Sequence, residues 1–276
     1  MVFSDELQSA LGWDGHLLLL HQTEPERHVE LAAWVRRGLQ RDEKVLYTQL
    51  DDEPPARSIL TLLANQGINI SDAIRRKQFE LLPICEFYPP GGQQELIESA
   101  LTDGYRAVRV SAEAEAALSI LPKAVHNDIE RKMDEICRTY PVSALCQYDR
   151  AMLTDDRLRE VASTHVSGVR TSQMHMGTQA DVLILAGELD AATSDLVAEV
   201  LRAAGTQAQA VLRLDLTRVT FLSVVAARAL VEGTQAFRDS GGRVLLLDPP
   251  SDIEWYIRAL GVDQPVRIEL VGRAEP

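Results

Sequence analysis

The sequence predicts an α/β protein in two parts: a longer N-terminal part around a mainly parallel sheet, and a shorter C-terminal part of mixed strand and helix. Three observations predict it. Short apolar runs of strand length alternate with amphipathic, helix-length stretches from His16 to about Ser163. The alternation breaks at Thr164–Gln173, which is polar and aperiodic, and then restarts with a different rhythm. The chain has 276 residues, 46% hydrophobic and 25% charged, enough for two ordinary cores.

The elements follow in order. HLLLLH (His16–His21) has the length of a buried strand. Leu31, Val35 and Leu39 then recur every four residues, with Arg36, Arg37 and Arg41 on the other side, which predicts an amphipathic helix. KVLYTQL (Lys44–Leu50) is the second strand. The next helix starts after Asp51–Asp52, with prolines in its first turn and Gly67 past its end. Strands are expected at Phe79–Ile84 and Arg106–Ser111, with a helix at Gln93–Thr102 between them. A helix at Val125–Thr139, a strand at Ser143–Asp149 and a helix at Asp155–Ser163 complete the first part. Such alternation with apolar strands predicts a parallel sheet covered on both faces. The boundaries are residues 1–165 for the first domain, 166–173 for a linker and 174–276 for the second domain.

In the second part, strands are expected at Val182–Gly187, Ala210–Leu216, Arg243–Asp248 and Val266–Val271. A helix lies within Gly187–Gly205, another spans Val224–Gly242 and ends on Gly-Gly, and a capped one spans Ser251–Gly261.

Composition narrows the function. The net charge is −13 and no run of Lys and Arg occurs, which argues against a nucleic-acid partner. The N-terminal MVFSDELQSALGWDG has no signal pattern, and the apolar run Leu17–Leu20 is far too short to span a membrane. Cys85, Cys137 and Cys146 are odd in number and widely spaced, so no disulfide framework is expected and a cytoplasmic location is. Cys85 and Cys146 read as small buried hydrophobes.

Three motifs in the second part belong together: the Gly187-Glu188-Leu189-Asp190 opening, the Asp215-Leu216-x-x-Val219-x-Phe221-Leu222 turn into a helix, and the Gly241-Gly242-x-Val244-x-Leu246 strand. They resemble the STAS domain of bacterial anti-sigma-factor antagonists. The resemblance implies a protein-binding module whose partner is an anti-sigma factor or similar kinase-like regulator, switched by phosphorylation of a serine at the start of the second long helix. This chain departs from that pattern. Val224 stands where the modified serine is usual, and Ser223 stands where an aspartate is usual. Ser223 reads as a helix N-cap, with a displaced phosphosite as the alternative and Thr220 as a weaker candidate. Val224, Val225 and Ala226 either form a constitutive docking surface or simply pack the helix start.

In the first part, the opening His16–His21 strand, the join Gly38-Leu39-x-Arg41-x-Glu43-Lys44-Val45-x-Tyr47, and Cys146-x-Tyr148-Asp149-Arg150 resemble the MEDS domain, a sensory domain of methanogen and methylotroph regulators. The resemblance covers about Gly15 to His165 and implies a RecA-like doubly wound fold. Nucleotide hydrolysis is not expected. The loop after the first strand, His21-Gln22-Thr23-Glu24-Pro25-Glu26-Arg27, has neither the glycines nor the lysine of a phosphate-binding loop, and its glutamates repel phosphate. A ligand site is expected outside the C-terminal strand ends, from His21, Glu113, Tyr148, Asp149 and Arg150. The alternative is that these make caps and surface pairs.

No metal site, catalytic residue or cofactor is expected. His16 and His21 are five apart on one strand and point to opposite faces, so they cannot share an ion, and His21 with His28 reads better as a strand-end and helix-surface pair than as metal ligands. The expected function is a sensor coupled to a STAS output. The rival readings are a non-catalytic scaffold held by contacts between STAS domains and a divergent enzyme using the first domain's cleft.

Overall fold

The computed structural model describes residues 14–50, 53–55, 57–89, 92–165 and 168–272. Asp51–Asp52, the start expected for the second helix, and most of the acidic N-terminal stretch lie outside the described residues. The chain divides into two compact units between Met152 and Leu153.

The N-terminal unit holds strands β1 (His16–His21), β2 (Lys44–Thr48), β3 (Phe79–Leu81), β4 (Val108–Glu113) and β5 (Val142–Asp149). They lie in the order β1-β5-β4-β2-β3 and every pair is parallel. The helices are α1 (Glu24–Gln40), α2 (Ile59–Asn65), α3 (Ser71–Arg75), α4 (Ile84–Phe87), α5 (Gln94–Thr102), α6 (Ala114–Ile120) and α7 (Lys123–Thr139). Two apolar cores cover the two faces of this sheet. Leu17 and Leu19 of β1, Val45 and Tyr47 of β2 and Leu145 of β5 pack with Leu31, Trp34 and Val35 of α1 on one face. Val108 and Val110 of β4 and Ala144 of β5 pack with Ile97 of α5 and Met133 of α7 on the other. Successive strand residues alternate between these two faces, so β1 and β2 contribute apolar side chains to both, while β4 and β5 carry buried polar side chains on the α1 face.

Helix α1 starts where Thr23 accepts a hydrogen bond from the Glu26 amide at 3.4 Å, with Pro25 in the first turn. At its far end Arg109 of β4 is fully buried. The guanidinium lies 5.0 Å from the Trp34 ring, pairs with Glu43 and reaches Asp14 at 2.8 Å. Gly38 makes room for it, since a Cβ there would stand 2.5 Å from Arg109 Cδ.

The C-terminal unit holds α8 (Asp155–Thr164), β6 (Gly168–Arg170), β7 (Met174–Gln179), β8 (Val182–Leu189), α9 (Ser194–Gln207), β9 (Val211–Leu222), α10 (Val224–Gly233), α11 (Gln235–Asp239), β10 (Arg243–Leu247), α12 (Ser251–Ala259) and β11 (Ile268–Val271). Strands β6, β7 and β8 pair antiparallel, and β8, β9, β10 and β11 pair parallel. Helix α9 buries Leu196, Val197, Val200 and Leu201 and packs against both α8 and α10.

Several expectations are corrected. The stretch read as a linker holds β6, and Thr171 closes a hairpin into β7 by accepting from the Gln173 and Met174 amides at 3.2 and 3.0 Å. Its residues 166–167 lie outside the described residues. The helix expected over Val224–Gly242 breaks at Thr234, whose hydroxyl donates back to the Leu230 and Val231 carbonyls. Strand β9 runs on to Leu222, past two register shifts opposite Ile184–Ala186 and Gly187–Glu188 of β8 that leave extra residues on β9; φ at Gly187 is +85°. Ile84 opens α4 rather than ending a strand, and Cys85 in that helix is exposed, not buried.

Candidate functional site

The residues expected to line one ligand site fall into separate places, and strand parity is the reason. Along β5, Gln147 and Asp149 face the α1 side while Cys146 and Tyr148 face the α7 side.

On the α1 side, above the C-terminal strand ends, the centre is Arg27. It is fully buried, near the start of α1. Its Nη1 donates to Glu113 Oε1 at 2.5 Å and to Gln147 Oε1 at 3.3 Å. Its Nε donates to Glu24 Oε2 at 3.0 Å, and its Nη2 donates to the Arg57 carbonyl at 3.3 Å. Gln147 passes the network on, donating to Ser111 Oγ at 2.9 Å and Tyr47 Oη at 3.4 Å. Burial holds the Tyr47 phenol well above its ordinary pKa. This is the place where a doubly wound nucleotide-binding fold puts phosphate. Here an Arg27–Glu113 ion pair fills it.

His21 sits at the same end, buried, with its pKa lowered to about 4 by burial and by the Arg27 charge. Asp149 accepts from the Ala151 amide at 2.8 Å, a tight turn that leads into a short 3₁₀ helix beginning at Arg150. His28 faces Glu24 at 3.3 Å on the helix surface. His21, Glu113 and Asp149 therefore share an end and a face of the sheet, and Tyr148 does not.

Tyr148 belongs to a second cluster on the α7 side. Its hydroxyl donates to Glu130 Oε1 at 2.9 Å. His126, one turn earlier on α7, has Nε2 3.3 Å from the same oxygen. Glu130 Oε2 lies 3.0 Å from His16 Nε2, which is 3.4 Å from Cys146 Sγ. His16 Nδ1 faces Asp134 Oδ1 at 3.9 Å. Burial, and then the Glu130 charge, push the Cys146 thiol well up. Beside the cluster lies a cavity of about 30 Å³, bounded by Tyr88, His126, Glu130, Met133 and Cys146. The sequence reading missed this cluster because it tested His16 only against other histidines. Two signals could have found it: His126 and Glu130 are four apart on a helix, and Cys146 shares the parity of Tyr148 on a strand parallel to that of His16.

In the C-terminal unit, Ser223 Oγ accepts from the Ala226 amide at 3.1 Å, so the hydroxyl caps α10. Val224 is 61% exposed and Val225 51%, with Phe221 of β9 at 46%, while Ala226 is buried in the packing of the helix start. Thr220 is exposed near the end of β9. Three large apolar side chains are thus exposed at the end of β9 and the start of α10.

Among the described residues, no helix is long and apolar enough to cross a membrane. Family models match both units. Residues 15–166 match the MEDS, methanogen/methylotroph, DcmR sensory domain, and residues 172–272 match a STAS domain described as Mlab. No curated protein matches the sequence. Among the solved structures to which the chain is similar is the flagellar accessory protein FlaH from Methanocaldococcus jannaschii, at 10% identity over 65% of this chain and 80% of that one, with a TM-score of 0.44.

Proposed function

The chain belongs to the MEDS sensory family through residues 15–166 and carries a STAS domain over residues 172–272, and on that premise we propose that it senses through the first and binds a kinase-like anti-sigma factor through the second. The pairing of a sensory with a STAS domain supports a regulatory, signalling role. The observation that carries the finer reading is the start of α10: Phe221, Val224 and Val225 stand exposed while the Ser223 hydroxyl is engaged as the cap.

A partner docking there buries apolar surface, and nothing at position 224 can take a phosphate. Control then falls to the sensory domain. The protein acts as a binder rather than an enzyme in this reading. Support comes from the Arg27–Glu113 pair, which occupies the phosphate position with an internal charge balance.

Affinity capture with the intact protein, under reducing conditions and low salt, recovers a histidine-kinase-like protein. Val224→Asp weakens binding of that purified partner at least about tenfold, because the new carboxylate must be desolvated without a counter-charge. Incubation with partner and ATP leaves the wild type unmodified, whereas Val224→Ser gains a phosphate. Failure to recover a kinase-like protein, or equal affinity for Val224→Asp, contradicts the proposal.

A further inference from the structure

The cluster on the α7 face has a donor set that the partner reading does not use. His16 contributes an imidazole, Cys146 a thiol and Glu130 a carboxylate, all from rigid elements: the start of β1, the middle of β5 and the middle of α7. We propose that His16 Nε2, Cys146 Sγ and Glu130 bind one zinc-class divalent ion.

The spacing fits. A tetrahedral ion with bonds of about 2.0 Å to nitrogen or oxygen and 2.3 Å to sulfur separates its ligand atoms by roughly 3.3–3.6 Å. Here His16 Nε2 lies 3.4 Å from Cys146 Sγ and 3.0 Å from Glu130 Oε2. Opening the shorter gap needs only a few tenths of an ångström. Imidazole and thiolate select zinc-like ions over magnesium or calcium. The ion's charge is balanced by one carboxylate and one thiolate, and the thiol proton leaves to solvent as the ion binds.

The surrounding groups orient the ligands. Tyr148 donates to the other Glu130 oxygen at 2.9 Å, His126 faces it at 3.3 Å, and Asp134 faces the second nitrogen of His16 at 3.9 Å. A carboxylate behind a metal-binding imidazole fixes its orientation and raises its basicity. The cavity of about 30 Å³ is large enough for a water.

The site is independent of the STAS surface, and its failure leaves the partner proposal standing. The test uses the intact protein, stripped with a chelator and titrated with Co²⁺. One equivalent binds per chain, with a thiolate-to-cobalt charge-transfer band and the intense visible bands of tetrahedral cobalt, and Zn²⁺ displaces it. Cys146→Ser abolishes the charge-transfer band, while Cys85→Ser and Cys137→Ala retain it. Glu130→Gln and His16→Gln weaken binding at least tenfold, and Tyr148→Phe weakens it more mildly. Absence of saturable binding, an octahedral spectrum without charge transfer, or a band that survives Cys146→Ser overturns the proposal. The wild-type spectrum decides the matter even if a variant fails to fold.

Discussion

At the scale of single residues, the N-terminal unit gathers its buried polar side chains into networks around Arg27, Glu130 and Arg109. Arg27 is buried with Glu113, and removing one member of such a pair strands the other. Glu113→Ala should destabilise this unit by about 3 kcal/mol, read as a lower urea midpoint through the buried Trp34. His21 makes stability depend on pH. Its folded pKa of about 4 lies below the ordinary 6.5 because burial and the Arg27 charge disfavour the imidazolium. As pH falls, the unfolded chain takes up the proton first. The stabilisation is therefore whole above about pH 6.5 and is lost toward pH 4, by about 2 kcal/mol already near pH 5. Urea midpoints at neutral and mildly acidic pH check this, and in His21→Gln that part of the pH dependence disappears. A slope unchanged by the substitution would assign the effect elsewhere. The candidate residues were legible one at a time but not as sets. The sequence shows Tyr148 beside Asp149, and only strand parity places them on opposite faces.

At the scale of elements, periodicity made the long pieces readable and polar detail hid the short ones. The apolar run of β1, the four-residue repeat of α1 and the helix α12 were visible because each carries one uninterrupted pattern, although α12 starts after Pro250 without the side-chain cap the sequence suggested. Strand β6 was not, because three residues beside a polar turn carry no period. The break between α10 and α11 was hidden too, since it rests on the Thr234 hydroxyl bonding backward, which an apolar pattern does not reveal. Gly233 next to it is needed for a different reason. A Cβ there would meet the Ala198 carbonyl oxygen of α9 at 2.8 Å. Gly233→Ala should push α10 off α9 and cost about 1–3 kcal/mol in the C-terminal unit, despite the better helix propensity of alanine. A neutral or stabilising result by thermal unfolding would contradict that contact. Ser223→Ala should cost about 1 kcal/mol through the lost cap, while leaving the exposed valines in place.

At the scale of the whole molecule, the boundaries read from structure and from sequence differ, and α8 is the reason. It lies inside the MEDS match and before the STAS match, yet it packs on α9, with Arg159 3.3 Å from Glu199. A fragment from Leu153 onward should therefore unfold at higher temperature than one from Ser172 onward, and equal melting would show α8 to be dispensable. On the two proposals the halves do different work: metal binding at the buried α7 face of the sensory sheet, and protein binding at the exposed start of α10. The central claim is the second of these, and calorimetric titration of the kinase-like partner into the intact wild type and Val224→Asp tests it most directly. The account predicts a one-site isotherm for the wild type without phosphorylation and affinity weakened at least about tenfold by the aspartate. Equal affinity in the two proteins would contradict it.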